Sequence, residues 1–541
     1  MKTNHLSHLL AAIGTALFVT GGLWVLWNGH LSDDALILFT YADNLAAGHG
    51  IVYRPGAGAA EGATDFLWLI ALSGLVAAGL DVALAALFLN GAGAYLMMYL
   101  VMRRALPEQP GRGAVAGALG LLFVVTIAQP AQASLGGFST YLYAGICLLL
   151  WEFGIAVQSR RMLWLPALGL LLGLVRPDGV IVGVVAALAG LLRLWRDPLR
   201  GHYLAVMAAC TVIGLGYFSW RYSYFGLPLP LPLYVKTGEN GFMPGLVETV
   251  LWFALNAPLF VIAAFGHQWM NLTRRRYLLA WMPFLALVCV LAFVHQSQNI
   301  AFRFQAPATA VLLYVFAAYI GGSFGAAAHV SRRIAAATLL VTLAGLYGWT
   351  GGHTVRLLTS HEYANPFTVR LDALVGPETR IAVTEAGRAA FWTDGNVTDL
   401  IGLNTVATAR DEADAEYLQR LDPDLLIVFT GHILVVPSAL AGTAAVLEVD
   451  TESLAAWISP EMRLRDRSGL VRTDRVPLAS VEYLRRNRDR YRVFLVWYYG
   501  WYKHMYAVKT GAIDADEILA QLRASLEPGN FSSYAALRFA D

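Results

Sequence analysis

Residues 31–68 read LSDDALILFTYADNLAAGHGIVYRPGAGAAEGATDFLW and follow an apolar stretch, 9–28, long enough to cross a bilayer. The segment opens on adjacent aspartates, Asp33 and Asp34, and passes through a Gly48-His49-Gly50 turn. It ends on Glu61-Gly62-Ala63-Thr64 and a second apolar run. Two carboxylates just beyond a first apolar helix stand where the membrane meets water, and the rest of the chain is read outward from them.

Of the 541 residues, 57% are hydrophobic and only 14% charged, which places the chain among polytopic membrane proteins rather than soluble enzymes. A net charge of +2 gives no footprint for nucleic acid. The charge lies between apolar runs and in the last third, so a domain boundary is expected near Gly351: a membrane domain over 1–350, with its first loop at 29–82, and an α/β domain over 351–541. Cys147, Cys210 and Cys289 each fall in an apolar run, which fits small packed hydrophobes and neither a disulfide framework nor a thiolate metal site.

Apolar runs near 9–28, 84–102, 113–128, 138–157, 162–175, 179–194, 203–220, 247–266, 277–294, 305–321 and 334–350 are expected to span the membrane, giving eleven helices. The run 66–80 is too short and is assigned to the interface. No small-residue cleavage site follows 9–28, so it reads as an uncleaved anchor. With the N-terminus in the cytoplasm, the basic loops at Arg103/Arg104/Arg112, Arg160/Arg161, Arg193/Arg196/Arg200, Arg274/Arg275/Arg276 and Arg332/Arg333 all become cytoplasmic, as the positive-inside rule asks. Counting 66–80 as a span would turn all five outward. The chosen orientation also gathers the unusual polar pieces on the outer side: the aspartate pair, Glu61, the loop 129–138, Arg176-Pro177-Asp178-Gly179, the loop 221–240 with Lys236, and His295 to Arg303.

Beyond Gly351, RIAVTEA (380–386) and LLIVFT (425–430) read as buried strands. The basic run Arg485-Arg486-Asn487-Arg488 precedes the aromatic run Trp497, Tyr498, Tyr499, Trp501 and Tyr502, which suits sugar faces, a membrane interface or a core.

Adjacent residues on a helix point about 100° apart, so Asp33 and Asp34 do not form a proton-sharing dyad. One faces a reacting centre as a general base for an acceptor hydroxyl, while the other caps a helix over 35–47; the competing reading makes both first-turn acids. Asp33 is taken first for the base. A phosphate-ester leaving group needs little acid but does need positive charge, and Arg176, Lys236 and Arg303 stand at outer ends of spans to supply it. Snorkelling, or pairing with Asp178 or Glu239, is the alternative for each. His49 fits a turn better than a metal site. Glu61 reads as a further site carboxylate or as a cap for the helix over 64–80, and His295, a lone histidine at a span end, reads as carrying no chemistry. No P-loop and no dinucleotide fingerprint is present.

DDALILFTYADNLAAGHGIVYRPG followed by EGATDFLW resembles the first outer loop of GT-C glycosyltransferases, in the branch of the mycobacterial terminal arabinofuranosyltransferases. RPDG (176–179), FGLPLPLPLYVKTG (225–238), FRFQAP (302–307) and AVTEAGRAAFWTDGNVTDLIGLN (382–404) are similar to later motifs of that branch. The resemblance implies a polytopic α-helical, GT-C-like membrane protein with an extracytoplasmic α/β domain, resident in the bacterial cytoplasmic (inner) membrane. It implies inverting transfer of a sugar, arabinofuranose being the branch's own, from a polyprenyl-phosphate donor to an extracytoplasmic glycan or secreted-protein acceptor. By resemblance a first-loop aspartate, Asp33 or Asp34, is the base; Arg176, Lys236 and Arg303 hold the donor phosphate, and His49, Glu61 and Asp178 contact substrate. No cofactor is required by the sequence, although a divalent cation near the aspartates would help neutralise phosphate. The chain departs from the branch at Leu36, where a tyrosine is usual, at Pro230-Leu231-Pro232, and at Gly136-Gly137-Phe138-Ser139-Thr140, where Ser139 occupies an acidic position. A transporter or flippase for a lipid-linked sugar would instead show an inverted repeat and broken helices at the midplane, and no repeat is visible. A non-catalytic scaffold leaves the paired aspartates unexplained.

Overall fold

The structure is a computed structural model, and it describes residues 12–17, 31–105, 136–236, 242–294, 296, 299, 302–323, 330–359, 371–431, 433–435, 443–464, 470–498 and 502–526. Most of the expected span 9–28, all of 113–128, His295 and Tyr499 to Trp501 lie outside these residues.

Four helices among the described residues are long and apolar enough to cross a membrane: Val82–Ala105, Arg200–Phe225, Arg274–Ala292 and Ala306–Ser323. Shorter apolar helices, Phe66–Ala77, Thr140–Ile155 and Gly179–Leu194, pack among them. Ala306–Ser323 runs through the middle of the bundle with nearly every side chain buried, whereas Arg200–Phe225 has only Tyr203, Arg221 and Phe225 buried. That contrast is what an apolar solvent permits: with lipid outside, a helix needs no polar outer face.

The expected span 247–266 departs from a straight helix. Phe242–Leu255 and Ala257–Ala264 meet at Asn256 and bend by 72°. Pro258 removes one backbone donor at the joint, and Asn256 holds the end of the first helix by donating both its N–H (3.1 Å) and its side-chain amide (2.8 Å) to the Trp252 carbonyl. The last helix, Val330–Thr359, continues past residue 350.

All five basic segments meet at one end of the bundle. Arg104 donates to the Met270 carbonyl at 2.9 Å, Arg275 to that of Leu192 at 3.3 Å, and Arg193 to those of Gly154 and Ala156. Ser159 bonds Asp197 at 2.7 Å, and Arg332 lies over Trp269 at 4.8 Å.

At the opposite end sits a six-stranded mixed sheet of order β2-β1-β3-β6-β5-β4, with β1 Arg380–Val383, β2 Asn396–Asp399, β3 Leu425–Phe429, β4 Ala445–Val449, β5 Tyr491–Tyr498 and β6 Tyr502–Lys509. β1 pairs in parallel with β2 and β3, and the remaining pairs are antiparallel. The expected strands over 380–386 and 425–430 appear as β1 and β3, both inside the sheet, where unbroken apolar runs fit strands covered on both faces; β1 stops at Val383, and Ala386 instead begins the helix Ala386–Trp392. Trp497 is buried in β5, so this member of the aromatic run packs in the core.

Candidate active site

The loop entering Ala306–Ser323 is built by buried amides. Gln296 donates to the carbonyls of Leu291 (2.7 Å) and Gly245 (3.1 Å), Asn299 donates to Gln296 and Gln305 at 2.7 and 2.8 Å, and the Phe304 N–H donates to Asn299 at 3.0 Å. Inside this network Phe302 takes φ +55, a conformation costing a bulky residue about 1–3 kcal/mol unless its surroundings impose it. The strained turn presents Arg303 inward. Its guanidinium lies 3.7 Å from the centre of the Phe138 ring and is 7% exposed, and among the described residues its Nε and Nη1 have no hydrogen-bond partner. Burial, then the neighbouring Arg176, pushes its pKa down to about 10, so it stays a cation at neutral pH. A buried cation with idle donors is costly unless an anion meets it.

Arg176, at the end of the helix Leu165–Val175, forks onto Asp178 at 2.9 and 3.3 Å and lies over the rings of Tyr143 and Phe304 at 5.0 and 5.4 Å. Burial opposes its charge, but Asp178 and Asp65 outweigh that and hold it protonated. Phe304 therefore touches both guanidinium groups.

Asp65 belongs to the same cluster and went unremarked in the sequence. It precedes the helix Phe66–Ala77 and accepts from the Ser139 hydroxyl at 2.8 Å. Burial raises its pKa, and Arg176, the Ser139 bond and Arg303 pull it partly back. Ser139 occupies an acidic position of the resembled branch, and here the first loop brings a carboxylate within hydrogen-bond reach of it. The available signal was an acid directly ahead of an apolar run, where a charge needs a reason to stay.

The aspartate pair is split. Asp33 begins the helix Asp33–Ala46, close to the expected 35–47, yet its carboxylate serves another helix: it accepts from the N–H groups of Gly387 (3.1 Å) and Arg388 (2.8 Å), at the start of Ala386–Trp392 in the sheet domain. Arg388 approaches it at 3.8 Å. Gly387 makes that approach possible, because a Cβ there would fall 1.7 Å from the Asp33 carbonyl oxygen. Asp34 makes no hydrogen bond or ion pair among the described residues, and together with Asp65 and Asp178 it acts electrostatically on Arg303.

Glu61 is held in a buried fork with Arg221 at 2.7 and 2.5 Å, which pins the first loop to the outer end of Arg200–Phe225. Beside it, Gly62 lets the loop touch the sheet domain, since a Cβ there would meet the Asn404 side chain at 1.9 Å. Asp399 shapes that contact by accepting from the N–H groups of Ile401, Gly402 and Asn404 at 2.9, 3.1 and 2.8 Å. His49 is exposed in its turn, and the Lys236 side chain lies outside the described residues. Among the described residues no three His, Cys, Asp or Glu side chains gather in a manner that would hold a metal ion.

Residues 358–494 match a family described as a domain of unknown function, DUF8728. Comparison with curated proteins finds no match. Two crystal structures of ArnT from Cupriavidus metallidurans share the fold. The apo form is 17% identical, with 81% of this chain and 96% of that chain covered and a TM-score of 0.50. The form bound to undecaprenyl phosphate is 14% identical, with 93% and 98% covered and a TM-score of 0.54. The chain is therefore a polytopic membrane protein of GT-C-like fold with a C-terminal sheet domain.

Proposed function

We propose that the chain is a membrane glycosyltransferase that moves a sugar from a polyprenyl-phosphate donor to an extracytoplasmic glycan or protein acceptor, with inversion at the anomeric carbon. The observation that carries the reading is Arg303: a buried cation with two donors unpaired among the described residues, beside Arg176 and three carboxylates, at the bundle end that holds the first loop. That arrangement suits a phosphate ester, whose oxygens match the guanidinium fork. ArnT, which shares the fold, was crystallised with undecaprenyl phosphate, and this supports the donor class. Asp34 is the candidate base, because Asp33 is engaged with the sheet domain. The acceptor oxygen attacks the anomeric carbon and its proton passes to Asp34. The bond from that carbon to the phosphate oxygen breaks, and polyprenyl phosphate leaves with the electron pair, stabilised by Arg303. Asp178, forked onto Arg176, keeps it oriented. Arabinofuranose remains the sugar suggested by the first-loop motifs.

The test is transfer from an undecaprenyl-phosphate-linked sugar by the purified chain. Asp34→Asn is expected to lose about 10²–10⁴-fold in rate, as general-base removal does, and Arg303→Ala about 10²–10³-fold, as loss of an oxyanion-stabilising donor does. Asp33→Asn retains more activity than Asp34→Asn; full activity in Asp34→Asn sinks the assignment. A flippase reading draws on one observation, the break at Asn256, and it expects translocation to survive Asp34→Asn.

A further inference from the structure

A cavity of about 510 Å³ lies where the first loop meets the sheet domain, apart from the Arg303 cluster. One wall comes from Thr40, Asn44, Tyr53 and Arg54, and the other from the segment 377–397, with Glu378, Asp394 and Asn396. Its size falls in the range of small-molecule sites, roughly 300–1,000 Å³. The walls are set by bonds that leave the lining little freedom. The Asn44 amide donates to the carbonyls of Val52 and Tyr53 at 3.0 and 3.2 Å, and the Tyr53 hydroxyl donates to that of Ala386. Arg54 keeps a buried Nη1 with no hydrogen-bond partner among the described residues.

We infer that this cavity is a saccharide subsite and that it binds the acceptor as an oligosaccharide. Three observations converge. The lining mixes planar hydrogen-bonding groups (Arg54, Asn396, Asp394, Glu378) with ring faces (Tyr53, Pro55, Pro377), and a sugar offers both hydroxyl edges and apolar C–H faces. One arginine stands against two carboxylates, so a phosphate or another polyanion is disfavoured, and the site differs in kind from the Arg303 cluster. Thr40 and Asn44 lie six and ten residues beyond the candidate base Asp34 on the same helix. At 1.5 Å per residue they stand roughly 9 and 15 Å down the axis from it, a distance an oligosaccharide bridges and a single hexose does not. Inner residues of an acceptor chain occupy the cavity while its terminal hydroxyl reaches Asp34. The sheet domain thus supplies half of a substrate site. This inference rests on the transferase reading for the word acceptor, but the saccharide site stands or falls separately.

The experiment uses the full chain in detergent and titrates maltotriose, chitotriose, mannotriose and arabinotriose by saturation-transfer NMR up to about 10 mM, with undecaprenyl phosphate binding followed in parallel by native mass spectrometry. At least one trisaccharide is expected to bind. Asn396→Ala weakens it about five- to tenfold, as loss of one hydrogen bond does, and Ala390→Trp, which fills the cavity, abolishes it. Both variants keep undecaprenyl phosphate binding, which certifies their fold. No binding of any of the four overturns the inference, and so does trisaccharide binding that neither variant changes. Trisaccharide binding lost in variants that keep the parent's thermal midpoint, in a chain that never binds undecaprenyl phosphate, overturns the donor reading and leaves the saccharide site supported.

Discussion

Asp33 sits between two helices that belong to different parts of the chain, and its titration is tied to their contact. Burial, then Glu385, raises its pKa from 3.8 to about 7, while Arg388 and the backbone N–H groups hold it lower than burial alone would. Glu385 itself is bonded to His504 at 2.5 Å, and Asp34 adds a further negative neighbour. A carboxyl whose folded pKa lies above its unfolded one favours the folded arrangement most when protonated, so its contribution is full below about 3.8 and is lost as pH rises through about 7. Docking of Ala386–Trp392 onto the first loop is therefore expected to loosen as pH rises from about 4 to 7. Hydrogen-exchange protection factors at Gly387 and Arg388 report it directly, and Asp33→Asn, which cannot ionise, flattens the profile. Equal protection at both pH values in the parent chain removes Asp33 from this role.

The element Ala386–Trp392 shows what could and could not be read from the sequence. Its motif, Glu385-Ala386-Gly387-Arg388, stood out only by resemblance, and the strand reading over 380–386 ran into the helix; β1, β3 and the first-loop helix were visible because runs of apolar residues and their periodicity are local properties. The partner of Asp33 was not visible: it lies 354 residues away, and capping across that separation leaves no periodic mark. Asp65 was hidden for a related reason, since only its contact with Ser139 ties it to the two arginines. The bend at Asn256 had a local signal in Pro258, which hydropathy averaging over 247–266 conceals. The Gly387 contact gives a prediction at this scale. Gly387→Ala places a methyl group into the Asp33 carbonyl oxygen, and backbone, unlike a flexible side chain, does not yield. The helix must retreat, with an expected cost of about 1–3 kcal/mol, read as a lower thermal midpoint and loss of protection over 386–392. An unchanged midpoint means the close approach is not retained in solution.

For the whole molecule, the informative feature is that helices alternate between two chemically unlike ends. Thr140–Ile155 starts beside Asp65 and finishes by the Arg193 contact at Gly154 and Ala156; Leu165–Val175 returns to Arg176; Gly179–Leu194 goes back to the basic end; and Arg200–Phe225 rises to the Glu61 fork. Basic loops collected at one end, and a site of buried arginines and carboxylates with a docked sheet domain at the other, are the distribution that retention of basic loops in the cytoplasm would leave. The site would then face outward, where a lipid-linked donor and an envelope acceptor meet. Two single-cysteine variants of a chain lacking Cys147, Cys210 and Cys289 decide this. Gly58, in the first loop, has open space around it and an ordinary backbone angle, and Val157, between two helices at the basic end, is 76% exposed. An impermeant maleimide applied to intact cells is expected to label Gly58→Cys at once and Val157→Cys only after permeabilisation. The reverse pattern would turn the site toward the cytoplasm and, with it, exclude any acceptor that lies outside the membrane.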